Sequence, residues 1–266
     1  MNDEDTRAFW LGLRSYTQAR IGLGRAGDAL PTRRVLEFAA AHAAARDAVH
    51  TPLDVPALIA RLTGLGAGGP VHITSRARDR AEYLRRPDLG RLPAAAPDAT
   101  DPSPSLRESG AEIGLVLADG LSARALAEHG PPMVAALLEA LRPRYAIAPP
   151  VVATQARVAL GDHIGAALGV STVLVLIGER PGLSVADSLG IYLTHLPRPG
   201  RTDADRNCVS NIHPPEGLGY HRAAEIIAAL VAGARRLGRS GVALKDTSRD
   251  PLLPGPSGAL PATEAG

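Results

Sequence analysis

Two nearly continuous apolar runs, EIGLVLAD at residues 112–119 and TVLVLIGE at residues 172–179, constrain the fold more than any other feature of the chain. A strand with one solvated face alternates apolar and polar residues, whereas a strand buried on both faces reads as an unbroken apolar run. Helical patterns alternate with these runs and with two weaker strand candidates, residues 146–153 and 189–196. This alternation predicts an α/β fold with a doubly wound, mostly parallel, Rossmann-like sheet.

The first third of the chain lacks such runs and is predicted to be helical. Helical patterns cover residues 33–50, 54–66 and 79–90. The segment PAAAPDATDPSPS that follows, residues 93–105, holds four prolines and no apolar periodicity, which is typical of a linker. We therefore expect four regions: a small all-α N-terminal domain that serves as an assembly surface (1–92), a Pro-rich linker (93–108), an α/β domain (109–246) and a disordered tail (247–266).

The composition excludes several classes of protein. The single cysteine, Cys208, excludes a disulfide framework and a cysteine-built zinc site, and no helix-spaced histidine pair completes another metal site. The formal net charge is only +2 and aromatic residues make up 3% of the chain, so no nucleic-acid surface is predicted. No apolar stretch reaches the roughly 18 residues that suggest a membrane span. The acidic start, MNDEDTRAFW, does not resemble a secretory signal, so we expect a cytoplasmic protein.

Two short motifs resemble cofactor-binding signatures, but the sequence around each motif argues against binding of that cofactor. Gly22, Gly24 and Gly27 satisfy G-x-G-x-x-G, the phosphate loop of dinucleotide-binding oxidoreductases, but the segment before them is polar and is not a buried strand. We interpret these glycines as a loop that lies against something else, such as a partner subunit, and keep a nucleotide-dependent oxidoreductase as an alternative. Asp162 and His163 are adjacent within a predicted helix, which is the wrong spacing for the D-x-H-x-x-G signature of histidine-ligated B12.

The best candidate for a ligand site follows the strand at residues 172–179. The sequence IGERPGL places Glu179 and Arg180 at the end of this strand, where open α/β sheets bind ligands. A long polar loop, residues 197–218, can fold over the same edge and carries Cys208. No nucleophile elbow or pair of general acids accompanies these residues, so they indicate a binding site rather than a catalytic one. The alternative is a structural ion pair between Glu179 and Arg180.

At these residues the sequence resembles the small subunit of the ethanolamine ammonia-lyase family. The resemblance covers roughly residues 15–246, and the combination of segments is far more specific than any one of them. The matching segments are ARIGLGRAG (19–27), AHAAARDAVH (41–50), YLRRPDLGR (83–91), ADGLSA (118–123), RVALGD (157–162), LIGERPGL (176–183) and GRTDADRNCVSNI (200–212).

The resemblance implies a carbon–nitrogen lyase subunit that uses adenosylcobalamin, with its own base kept on cobalt, in the conversion of ethanolamine to acetaldehyde and ammonia. In this family the large subunit is a TIM barrel that carries the substrate site, so no catalytic residue and no protein metal ligand is expected here. The family's small-subunit cobalamin contacts map onto Val158, Glu179 and Cys208. A longer leader is linked in some members to bacterial microcompartments; the leader here is short, which leaves encapsulation open. A noncatalytic scaffold subunit is the remaining alternative.

Overall fold

The computed structural model describes residues 3–94 and 106–248 of the chain. Seven helices and six strands are formed within these residues. In chain order they are α1 (Asp3–Arg14), α2 (Thr32–His50), α3 (Val55–Gly64), β1 (Val71–Thr74), α4 (Arg80–Arg85), β2 (Ile113–Ala118), α5 (Ala123–Leu141), β3 (Val151–Thr154), α6 (Leu160–Ala167), β4 (Thr172–Gly178), β5 (Leu189–His195), β6 (Asn207–Ile212) and α7 (Tyr220–Leu237).

The strands form one mixed sheet in the order β1-β3-β2-β4-β5-β6. The first four strands in this order are parallel, β5 is antiparallel to β4, and β6 is antiparallel to β5. The predicted α/β class is confirmed, but the two last strands depart from the predicted parallel arrangement. The physical reason lies in the connection from β4 to β5, because residues 179–188 are too few for the crossover of a dozen or more residues that parallel neighbours need.

Alternate residues of the central strands feed two separate apolar cores, one on each face of the sheet. On β4, Leu174 and Leu176 belong to the core formed with α3, α5 and α7. Val173 and Val175 belong to the core on the opposite face, which α6 covers by packing on β2 and β4. Every residue of β2 and β4 is buried, as the unbroken apolar runs predict.

Two strands lie where the sequence predicted none. The region 1–92, expected to be all helical, contains β1, which pairs with β3 at the edge of the sheet. The predicted polar loop at residues 197–218 contains β6, at the opposite edge. A short edge strand with one exposed face carries few apolar residues, so its composition is close to that of a loop. The predicted linker and tail fall mostly in residues 95–105 and 249–266, outside the described residues, and the domain boundaries remain predictions.

Candidate functional site

The crevice between the carboxyl ends of β2 and β4 is closed by backbone. Gly120 has φ of +57°, and a Cβ added to it would overlap the carbonyl oxygen of Gly178. The amide nitrogen of Leu121 donates to that same carbonyl at 2.9 Å. A ligand therefore cannot enter between these two strands, although strand order reverses there. The polar groups that follow β4 lie instead over its antiparallel neighbour, β5.

Glu179, the residue after β4, is half-buried over a glycine of β5. A Cβ built on Gly190 would lie 2.9 Å from Oε1 of Glu179, so a larger residue there would displace this carboxylate. The backbone N–H of Asn211 points at both carboxylate oxygens, at 3.4 Å from Oε1 and 3.3 Å from Oε2. Arg180 is exposed, and among the described residues it forms no ion pair with Glu179. The carboxylate is thus fixed by main chain rather than by a neighbouring guanidinium.

Asn211 can hold Glu179 because the β5–β6 ladder is irregular at this point. The pairing steps from Leu189–Ile212 to Ile191–Val209, which leaves two residues of β6 opposite Gly190. Asn211 has φ of +62°, a left-handed conformation that asparagine tolerates better than most residues. Its Oδ1 lies 2.8 Å from Nε2 of His213, which fixes the side chain. The bulge turns an N–H of β6 toward the end of β4.

Cys208 and Tyr192 are direct cross-strand neighbours on β6 and β5. Desolvation, together with the charge of Glu179, raises the pKa of Cys208 to about 11, even though the residue as a whole is exposed. Desolvation, the nearby thiol and then Glu179 raise the pKa of Tyr192 to about 12. Both groups therefore keep their protons near neutral pH, and Cys208 is not a thiolate nucleophile there.

Val158 lies in the turn that leads into α6 and is half-buried. Its side chain packs against the core on the α6 face of the sheet, and Tyr192 packs against the same core. The structure therefore places Val158, Glu179, Tyr192 and Cys208 on one face of the sheet. We call these four residues the open platform. At its β6 side this face stays accessible, as the exposure of Cys208 shows.

A buried ion pair that the sequence analysis missed lies on the same face. Asp162 of α6 accepts two hydrogen bonds from Arg206, each 2.7 Å long, and both side chains are 2% exposed. Arg206 Nη1 also donates to Thr194 Oγ1 at 2.9 Å. The available signal was a carboxylate at position 162 on the apolar side of a short helix, since a buried acid needs a partner.

The other candidate sites are not formed. The loop with Gly22 follows α1 and coil rather than a strand, and the Trp10 ring occupies the space a Cβ on Gly22 would need. His195 is buried, with Nδ1 2.9 Å from Thr172 Oγ1. Within residues 3–94 and 106–248, no group of three or more His, Cys, Asp or Glu side chains is placed to hold a metal ion. The same stretch contains no helix that is long and apolar enough to cross a membrane.

Comparison with known proteins identifies close relatives over nearly the whole chain. The family described as ethanolamine ammonia-lyase light chain (EutC) matches residues 7–245. The chain is 68% identical over 241 residues to the ethanolamine ammonia-lyase small subunit of Rhodococcus erythropolis, which covers 91% of each protein. It is 50% identical over 246 residues to the small subunit of Ralstonia nicotianae, with 92% of this chain and 90% of the relative covered. For the small subunit of Bradyrhizobium diazoefficiens the identity is 51% over 243 residues, covering 90% and 91%.

Proposed function

This chain belongs to the ethanolamine ammonia-lyase light chain family, and we propose that it helps convert ethanolamine to acetaldehyde and ammonia as the small subunit of an adenosylcobalamin-dependent enzyme. In this proposal the chain holds the cobalamin against a large catalytic subunit, which carries the substrate site. The observation that supports it most directly is the open platform, where all three residues matched to the family's cobalamin contacts lie on one accessible face.

The residues of the platform fit a large, amide-bearing ring. Among the described residues, the Glu179 carboxylate accepts only from the Asn211 N–H, at 3.3 and 3.4 Å, so acceptor capacity remains for ligand amides. Val158 and Cys208 add small apolar contacts beside it. Gly190 has no side chain and so leaves space for the carboxylate above it. The open platform therefore combines apolar side chains with one acceptor in a fixed position, the Glu179 carboxylate.

The chemistry divides between cofactor and protein. Adenosylcobalamin, when bound, would supply the radical chemistry of the reaction. In this proposal the residues of this chain bind and orient the cofactor. Glu179 accepts hydrogen bonds from cofactor amides, and Val158 excludes water at the edge of α6. Cys208 retains its proton on Sγ, since its pKa is about 11, and so contributes packing rather than acid–base chemistry.

The surface that meets the large subunit is proposed to be the N-terminal segment. Helix α2 has 19 residues, of which only Ala48 is buried, so within the described residues most of the helix is exposed or only partly covered. A helix left this open is expected to gain most of its stability from a partner. Within the part of the chain that the structure describes, eight large apolar side chains are exposed between positions 9 and 38: Phe9, Leu11, Leu13, Tyr16, Leu30, Val35, Leu36 and Phe38.

This N-terminal surface adjoins the loop that follows Glu179. Arg20 Nη2 donates to the carbonyl oxygen of Leu183 at 3.2 Å, and Ser184 Oγ donates to the carbonyl oxygen of Gln18 at 2.9 Å. A large subunit docked on the N-terminal segment would therefore lie near the open platform. This adjacency supports a cofactor held between two chains.

The test is a cobalamin titration of the complex co-expressed with its large subunit. We expect Glu179→Ala to weaken cobalamin binding roughly 10- to 100-fold, because a hydrogen bond to a carboxylate contributes about 1.5–3 kcal/mol. Glu225→Ala, which removes an exposed carboxylate of α7, is the control and should leave the affinity unchanged. The isolated chain should release no ammonia from ethanolamine. Equal affinities for the wild type and Glu179→Ala would instead favour a noncatalytic scaffold.

A further inference from the structure

Strand β5 presents three residues in a row on the face of the open platform, Gly190, Tyr192 and Thr194, because side chains two apart point to the same side of a strand. The two outer positions are covered. The Glu179 carboxylate lies over Gly190, and Arg206, held by Asp162, lies over Thr194. Tyr192 lies between them and is only half-buried.

Cys208 and Val158 lie on the same face. Cys208 of β6 is the direct cross-strand partner of Tyr192, and Val158 packs against the same core from the start of α6. Tyr192 therefore lies on the same face as the three residues matched to cofactor contacts, between the positions covered by Glu179 and Arg206. A ligand that contacts both Glu179, over Gly190, and Cys208, opposite Tyr192, would reach the position of Tyr192.

From this arrangement we infer that Tyr192 is a further direct contact for the cobalamin, forming the floor on which it rests. The inference depends on the proposed function and extends it to a residue that the family motifs do not assign. The ring provides a flat apolar surface whose rotamer freedom is already restricted by packing, so little entropy is lost when a ligand covers it.

The direct cross-strand neighbour of Tyr192 is Cys208, and sulfur is only a weak acceptor for the tyrosine O–H. A ligand amide carbonyl would be a stronger acceptor for the same O–H. Tyr83 shows the contrasting arrangement, since it is fully buried, its hydroxyl donates to the backbone carbonyl of Ala156 at 3.2 Å, and two guanidinium groups cover its ring. Tyr83 is fully buried, whereas Tyr192 is only half-buried.

The experiment compares substitutions at Tyr192 in the co-expressed complex, with cobalamin binding followed by absorbance. We expect Tyr192→Ala to weaken binding 10- to 50-fold and Tyr192→Phe to weaken it two- to fivefold, because phenylalanine keeps the ring and loses only the hydroxyl. Tyr145→Ala is the matched control, since Tyr145 is also half-buried but packs against the core on the opposite face. The cobalamin affinity of the Tyr145→Ala complex should stay within twofold of the wild-type value.

A second readout separates this inference from the proposed function. Cys208 is the only cysteine of the chain, so mass spectrometry of its alkylation reports on the platform without any assay of activity. Cobalamin should protect Cys208 in the wild-type complex. Absence of both binding and protection would overturn the proposed function and this inference with it. Protection in the wild type together with unchanged affinity in Tyr192→Ala would overturn only the inference. If Tyr192→Ala fails to assemble, Tyr192→Leu decides between the same two outcomes.

Discussion

Arg206 and Asp162 form a two-pronged ion pair, with two N–O distances of 2.7 Å and both side chains 2% exposed. The pair joins α6 to the segment just before β6. Val158 precedes Asp162 by four residues and Cys208 follows Arg206 by two, so the pair bridges the elements that carry two sides of the open platform. Its geometry therefore bears on both stability and the shape of the proposed site.

Replacing one partner of this ion pair should strongly destabilise the folded chain. Asp162→Asn keeps the shape of the side chain but leaves the buried Arg206 charge with only Asp203, an exposed carboxylate 3.5 Å from its Nε, as counter-ion. Loss of one partner of a buried pair costs about 3–5 kcal/mol. We expect a loss of that order in the free energy of unfolding, measured by urea denaturation of the folded chain.

An exposed ion pair provides the control for this prediction. Arg86 and Asp88 approach to 2.6 Å, but their side chains are 60% and 57% exposed. Solvent screens such a pair, so Arg86→Ala should change the unfolding midpoint little. Equal losses in Asp162→Asn and Arg86→Ala would show that burial of the Asp162–Arg206 pair has no energetic consequence.

The reactivity of Cys208 should depend on pH in a way that reports its surroundings. Desolvation raises the pKa of its thiol to about 11 in the folded chain, whereas an ordinary cysteine has a pKa near ~8.5. The alkylation rate by iodoacetamide should therefore rise with a midpoint near pH 11 in the folded protein, and near the ordinary value in urea. Because the folded pKa is the higher one, the thiol stabilises the fold below the unfolded pKa, and this contribution is lost as pH rises toward 11. A folded midpoint at the ordinary value would contradict this environment for Cys208.

The sequence predicted those features that depend on local pattern. The unbroken apolar runs identified β2 and β4 as strands buried on both faces, and the position of Glu179 after β4 followed from the length of the run. Contacts between distant residues could not be predicted in this way. Asp162 and Arg206 are 44 residues apart, and nothing in either local sequence names the other as its partner.

Strand β6 was missed for a related reason. Its alternation of exposed Cys208 and buried Val209 is interrupted at Asn211, where the bulge shifts the register before Ile212. A period of two cannot be recognised over so few residues once an extra residue is inserted. The bulge that hides the strand in the sequence is also what directs the Asn211 N–H toward Glu179.

Gly190→Ala should test the position of the Glu179 carboxylate without removing it. The added Cβ would lie 2.9 Å from Oε1, so the carboxylate must move away from the Asn211 N–H. We expect cobalamin affinity of the complex to fall roughly fivefold, about 1 kcal/mol, with a smaller effect than Glu179→Ala. Gly64→Ala in α3 is the control, since nothing lies within 4 Å of its added Cβ. A Gly190→Ala complex with wild-type affinity would show that binding does not depend on where the carboxylate lies.

Leu36→Glu should impair assembly with the large subunit while leaving the fold of this chain intact. Leu36 is 64% exposed on α2, the helix with one buried residue, so a charge there costs the isolated chain little. At an interface the same carboxylate would be buried without a partner, which is unfavourable by several kcal/mol in the complex. Size-exclusion chromatography of the co-expressed chains should show smaller assemblies or free subunits. Leu237→Glu, at a position 44% exposed near the end of α7, should assemble as the wild type does. Full-size complexes with Leu36→Glu would place the large-subunit contact elsewhere than on this face of α2.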